Sequence, residues 1–228
     1  MAGSPLYYIL LRGWVQVAGA SLFALRYFSV LWGTLTIPLI YRVTRRWLGG
    51  QIALATTLIA VFAPFYIYYS QEARTYSLTL ALMLISMAAF LRWLDAHEAW
   101  ALAVCCLANL ICLYTHFVAA LVIATQGVML LIVHPLRWRD LASFSVAHAG
   151  VGLAFLPWLW RVWRVLPRVV APPDSATLDA WLVLARTWTE FSVGRTLAPP
   201  LSLYLAMLPL FLALAGLFSL FDTREPQA

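Results

Sequence analysis

The chain contains no lysine: all fifteen of its basic residues are arginine. That absence excludes a phosphate-binding loop ending in Gly-Lys-Ser/Thr, and it excludes Schiff-base or pyridoxal chemistry, because both need a lysine amine. Charge of either sign is scarce, with Lys+Arg 15 and Asp+Glu 9 amounting to 11% of the residues. A soluble domain carries about 25%. Cysteine is limited to Cys105, Cys106 and Cys112, an odd number inside one apolar segment; this is unlike a disulfide framework and reads as small membrane-helix residues. What is abundant is hydrophobicity, at 64% of 228 residues. With roughly 20 apolar residues needed per span, this composition supports at most about seven membrane helices and leaves no room for a separate soluble domain. The net charge of +6 would suit nucleic acid only if the arginines clustered on a soluble face. They instead punctuate apolar runs, so no nucleic-acid partner is expected.

The pattern along the chain predicts an all-α, polytopic integral membrane protein with about seven transmembrane helices plus interfacial helices, forming a single transmembrane domain over 1–228. Met1 to Pro5 shows neither the basic leader nor the cleavage site of a signal peptide. Leu6 to Val17 is too short to span, and Tyr8, Arg12 and Gln16 make one polar stripe on it, so residues 1–20 read as an outer interfacial helix. Six spans follow within 24–160: Ala24 to Tyr41, Ile52 to Tyr69, Tyr76 to Leu94, Ala99 to Leu113, Phe117 to Val133 and Leu141 to Trp160. Residues 99–133 carry no charge and no proline. As one helix they would be about 50 Å long against a hydrocarbon core of ~30 Å, so a hairpin turning at Tyr114-Thr115-His116 is expected. An outer loop over 161–200 contains a second interfacial helix, with Leu178, Trp181, Ala185, Trp188 and Phe191 opposite Asp179, Arg186 and Glu190. The last span is Leu201 to Phe221. In the short loops, Arg42, Arg45, Arg46, Arg92, Arg137 and Arg139 oppose only Arg74, which places the former in the cytoplasm and the 161–200 loop outside.

The densest polar patch among the apolar runs is Tyr68-Tyr69-Ser70-Gln71-Glu72-Ala73-Arg74-Thr75-Tyr76. It reads either as an interfacial turn with a Glu72/Arg74 ion pair or as a substrate path, because ionisable groups at membrane depth are costly. His116 is either a satisfied interfacial residue or a ligand with Cys112 at i, i+4. His134 and His148 read as structural. Arg161, Arg164 and Arg168, at i, i+3 and i+7, could embrace an anion or hold the helix among lipid headgroups. Arginines, a carboxylate and a histidine over a hydrophobic body suit a lipid-linked phosphate ester.

The runs SPLYYILLRGW, FALRYFSVLWGTLTIPLIYRVTRRWLG and APFYIYYSQEARTYSLTLALMLIS, with LYTHF and LPWL further on, resemble the GT-C membrane glycosyltransferases of the protein O-mannosyltransferase and aminoarabinose-transferase type. The likeness runs from Ser4 to about Pro157 and is strongest over Ala63 to Ser86. It implies transfer of a sugar from a polyprenyl-phosphate donor to a glycan, lipid or protein acceptor at the outer face of a bacterial plasma (inner) membrane, in the cell envelope. A carboxylate would then serve as base on the acceptor hydroxyl, and cationic groups or a divalent metal would stabilise the departing phosphate. Carried onto this sequence, Glu72 is the catalytic candidate, Arg74, Arg161, Arg164 and His116 are substrate-phosphate ligands, and Tyr69, Gln71 and Tyr76 are substrate-binding residues; no metal ligands are assigned. Gly3-Ser4-Pro5 stands where the family usually has His-Pro-Pro. The family's first span and Asp-bearing loop precede this motif, so the chain is expected to be N-terminally truncated relative to the family, either a fragment or a noncatalytic member. The competing class is a noncatalytic transporter or lipid-binding membrane subunit, and a scaffold is a third alternative. A transporter would be expected to carry an internal repeat, and none is found.

Overall fold

The computed structural model describes residues 5–133, 137–169 and 207. Among the described residues there are seven helices and no strand: α1 (Pro5–Ala18), α2 (Leu22–Phe62), α3 (Pro64–Ser70), α4 (Tyr76–Ala96), α5 (Ala99–Thr115), α6 (Ala119–Val133) and α7 (Trp138–Val169). The predicted last span and the predicted interfacial helix around Trp181 lie outside them. Leu22–Phe62, Tyr76–Ala96 and Trp138–Arg164 are long and apolar enough to cross a membrane, and α5 and α6 are shorter apolar helices. Large apolar side chains such as Ile132, Val146, Leu153 and Trp163 point outward, as lipid-facing residues do. The chain is an all-helical integral membrane protein.

Several boundaries differ from those the hydropathy predicts. The first predicted span does not stop at Tyr41. The helix runs on through Arg42, Arg45 and Arg46, good helix formers whose heads can reach polar surroundings, and it breaks at Gly49, where φ is 81°. Only glycine takes that backbone conformation without strain. The second predicted span, Ile52 to Tyr69, is interrupted before Pro64, which opens α3. Proline fits the first turn of a helix because the amide it lacks would be unpaired there anyway. The 99–133 hairpin forms, but its turn lies at His116-Phe117-Val118 because Thr115 remains inside α5. α7 continues past Trp160 to Val169, so Arg161 and Arg164 extend a helix that the sequence reading ended at Trp160.

By its internal contacts the chain divides into two compact units, Met1–Val61 with Tyr69–Pro173, and Phe62–Tyr68 with Asp174–Ala228. In the first, α4 and α5 are antiparallel neighbours: Thr79 meets Cys112, Ser86 meets Cys105, and Arg92 meets Glu98. α7 runs parallel to α5, with His148 beside Asn109 and Tyr114 bonded to the Ala154 carbonyl at 2.8 Å. One apolar cluster around Leu78, Leu82, Cys112 and Val151 also takes in Tyr7 and Phe28; a second is built on Phe90, Trp93, Leu130 and Phe144.

Between these clusters lies a closed ring of hydrogen bonds. Ser86 donates to Asn109 at 2.6 Å, Asn109 donates to Gln126 at 2.9 Å, and Gln126 donates back to Ser86 at 2.8 Å. The second amide hydrogen of Asn109 points to His148 Nε2 at 3.1 Å, and His148 Nδ1 bonds the Phe144 carbonyl at 2.9 Å. That pattern requires a neutral ring carrying its proton on Nδ1. Four helices are thereby joined through groups that lipid could not satisfy.

Replacing Asn109 with leucine should remove the Asn109 partner of the Ser86 hydroxyl, of Gln126 Oε1 and of His148 Nε2 at once. The expected loss is about 1–3 kcal/mol of stability, measured by thermal unfolding in detergent. Thr125→Ala, which removes only an exposed bond to Leu121 within α6, should change it little.

Candidate functional site

α4 is 21 residues long, about 30 Å at 1.5 Å per residue, so its two ends lie a bilayer core apart. Its N-terminal end continues the Ser70 to Thr75 turn. Three features hold that turn against the bundle. The Ser77 hydroxyl donates to the Tyr69 carbonyl at 3.1 Å. The Tyr69 and Tyr76 rings meet edge to face at 4.6 Å. Ser70 sits on Gly33 of α2 so closely that a Cβ added at Gly33 would lie 2.8 Å from the Ser70 Cβ.

Within the turn, Arg74 Nε lies 3.1 Å from Glu72 Oε1. The Arg74 side chain is 62% exposed and that of Glu72 26%, so the carboxylate is the more enclosed partner. The Tyr76 hydroxyl, followed by Glu72, strengthens the hold of Arg74 on its proton. Gln71 is exposed, as is Tyr76.

α1 lies within electrostatic reach of this turn, and the sequence reading did not include it in the site. Tyr7 and Trp14 fold α1 back onto α2, the Tyr7 hydroxyl 3.3 Å from Ser29 and the Trp14 indole donating to the Ala24 carbonyl at 2.9 Å. Tyr7 is fully buried. Burial pushes its phenol above the usual range, and the charge of Glu72 acts in the same direction. Tyr8, on the exposed face with Arg12 and Gln16, lies within the electrostatic reach of Arg74. The signals available in the sequence were the Tyr8, Arg12 and Gln16 stripe and the Tyr7-Tyr8 pair within SPLYYILLRGW, of which the structure buries the first ring and exposes the second.

The remaining candidates share this end of the bundle but make no contact with the Glu72/Arg74 pair among the described residues. His116 follows the last turn of α5, whose Cys112 is bonded to Thr79 near the start of α4. Its Nδ1 accepts the Val118 amide at 3.3 Å, and its ring stacks on Phe117 at 4.9 Å. Burial lowers its pKa below the ordinary 6.5, so the neutral ring that caps this turn is favoured. Because Cys112 turns its thiol to the Thr79 carbonyl, the predicted i, i+4 ligand pair has each member engaged elsewhere. Arg161 and Arg164 extend α7 beyond Trp158, whose ring lies 6.4 Å from Tyr114. Arg164 rests over Trp160 at 4.6 Å, a cation–π contact. Neither arginine has a carboxylate partner among the described residues. The side chain of Arg168 lies outside them. His148 is a half-buried histidine whose two ring nitrogens are both hydrogen-bonded, a structural residue as the sequence suggested.

What this arrangement offers chemically is a guanidinium that is open to solvent and oriented by a carboxylate and a phenol, at a membrane boundary, with Arg161 and Arg164 of α7, which have no carboxylate partner among the described residues, at the same end of the bundle. That combination suits a phosphate ester presented from the bilayer. Residues 2–163 match the family described as dolichyl-phosphate-mannose-protein mannosyltransferase. No curated protein and no solved structure gives a match.

The Gly33/Ser70 approach is directly testable. Gly33→Ala should lower the unfolding temperature because the new Cβ meets a Cβ that cannot swing away. Adding Ser70→Gly should recover part of the loss, since the nearest atom then becomes the residue 70 Cα at 3.6 Å.

Proposed function

Because the chain belongs to the dolichyl-phosphate-mannose-protein mannosyltransferase family, we propose that it is, or forms part of, a membrane glycosyltransferase that takes a sugar from a polyprenyl-phosphate donor. The acceptor is a glycan, lipid or protein hydroxyl, and the site faces the outer side of a bacterial plasma membrane. The observation that carries this reading is the Glu72/Arg74/Tyr76 cluster at the start of α4.

Arg74 receives the donor phosphate. As the bond from sugar to phosphate oxygen breaks, negative charge grows on the leaving phosphate, and a fixed guanidinium at a low-dielectric boundary stabilises it more than water would. Glu72 holds that guanidinium in place before the donor arrives. An incoming phosphate competes for the same Nε–H, which releases the carboxylate to accept a proton from the attacking hydroxyl. Tyr69, Gln71 and Tyr76 line the approach of the sugar, while Arg161, Arg164 and His116 lie toward the lipid-linked phosphate.

Donor affinity is the first test. Arg74→Lys should weaken polyprenyl-phosphate binding by on the order of tenfold, because the bidentate fork is lost although the charge remains. Arg92→Lys, at the other end of α4, should not. Glu72→Gln should bind the donor at least as tightly while transferring less sugar. Equal donor affinity in the Arg74→Lys and Arg92→Lys proteins would remove Arg74 from the site.

Sidedness is the second. In a cysteine-free background, single cysteines at Gln71 and Phe117 should both react with an impermeant thiol reagent added to intact cells, and one at Ala96 should not. Labelling at Ala96 with protection at Gln71 would reverse the orientation.

A further inference from the structure

The opposite end of the first unit carries a second concentration of charge for which the proposed transfer has no use. There, α2 before its break at Gly49 and the last turns of α4 flank an open groove of about 410 Å³, whose walls include Arg42, Val43, Arg45, Arg46, Ala88 and Leu91. Arg92 and Asp95 border it as well.

Its guanidinium groups are not equivalent. Arg46 is tied to Asp95 through two bonds, one from Nε to Oδ2 at 2.8 Å and a second from Nη2 to Oδ1. Arg92 is tied to Glu98 in the same two-pronged way at 2.8 and 3.0 Å. Arg42 and Arg45 have no carboxylate partner among the described residues; Arg45 lies 6.0 Å over the Tyr41 ring. Standing at i and i+3, they share one face of α2. The groove thus keeps two uncompensated positive charges above an apolar floor of Val43, Ala88 and Leu91.

The same end bears exposed tryptophans on three different segments, Trp47, Trp100 and Trp138. Exposed indoles gathered at one level mark the boundary between hydrocarbon and headgroups. A ligand that reaches this groove from the bilayer therefore arrives with its phosphate at the height of Arg42 and Arg45 and its carbon chains beside the apolar floor.

We propose that this groove is a binding site for an anionic phospholipid, with Arg42 and Arg45 on the headgroup phosphate and with Val43, Ala88 and Leu91 against the glycerol and first acyl carbons. The two ion pairs set its width. Asp95 anchors α2 to α4 through Arg46, and Glu98 keeps Arg92 folded back toward Trp100, 5.1 Å from its ring. Basic pockets between membrane helices recognise acidic headgroups by this combination of charge and apolar wall. The site is independent of the sugar-transfer reading, because it lies a full helix length from the Glu72 turn.

The experiment uses the full 228-residue chain, purified and analysed by native mass spectrometry with phosphatidylglycerol or phosphatidylcholine added. One phosphatidylglycerol should be retained in preference to phosphatidylcholine. Arg42→Gln with Arg45→Gln should weaken its retention by on the order of tenfold or more. Arg12→Gln with Arg26→Gln, the same change in net charge on exposed residues elsewhere, should leave it intact. Three results would each overturn the proposal: equal retention by the Arg42/Arg45 variant, equal loss in the Arg12/Arg26 variant, or full displacement of the lipid by millimolar inorganic phosphate.

Discussion

The hydrogen-bonded ring of Ser86, Asn109 and Gln126, extended to His148, is the constraint on which the rest of the first unit depends. Between apolar helices in lipid there is no hydrophobic drive to choose one rotation over another, because a leucine is as content against an acyl chain as against a neighbour. A polar side chain within the bilayer is not indifferent in that way. Each of these four has only a few rotations of its helix that bring a partner within reach, and the closed ring requires the α4, α5 and α6 rotations to agree at once. His148 extends the same requirement to α7.

Two consequences follow at the two ends of α4. With the helix rotations set, the apolar cluster around Leu78, Cys112 and Val151 receives Tyr7, which holds α1 at the N-terminal end of α4. At the other end, the cluster of Phe90, Trp93 and Phe144 sits below Asp95 and Glu98, which take up Arg46 and Arg92. Asp95 and Glu98 are thus each committed to an arginine, and Asp140 at the start of α7 lies against His97 and Arg137. The Glu72/Arg74 pair differs in that its carboxylate is the most enclosed of the three, 26% exposed against 44% for Asp95 and 33% for Glu98, and in that its arginine also interacts with a phenol. Exposed ion pairs contribute little to stability. The chemistry of the turn therefore rests less on the strength of the pair than on where it holds Arg74.

Much of this architecture was written in the order of the residues. The scarcity of charge and the apolar runs of bilayer length determined a helical membrane protein, because in lipid only helices and closed β-barrels satisfy the backbone and continuous apolar runs of roughly 20 residues fit helices. The uncharged stretch over 99–133 determined a hairpin, since one straight helix would overshoot the bilayer. The Tyr-Tyr-Ser-Gln-Glu-Ala-Arg run pointed to the turn where the candidate site lies, and to the family. Asn109 and Gln126 were visible as the two amides within 99–133, but nothing in their positions along the chain says that they face one another.

Tertiary structure decided the pairings. That Gly33 must lack a side chain follows only once Ser70 lies against it. Which arginines are neutralised and which are free depends on contacts such as Arg46 with Asp95, 49 residues apart in sequence. Periodicity shows which face of a helix is polar, but not which neighbour that face meets. Hydropathy alone measures how far a segment can reach across the bilayer. The rotation of each helix about its own axis is set by partners on other helices, and for this chain those partners are a few amides, hydroxyls and rings buried between the spans.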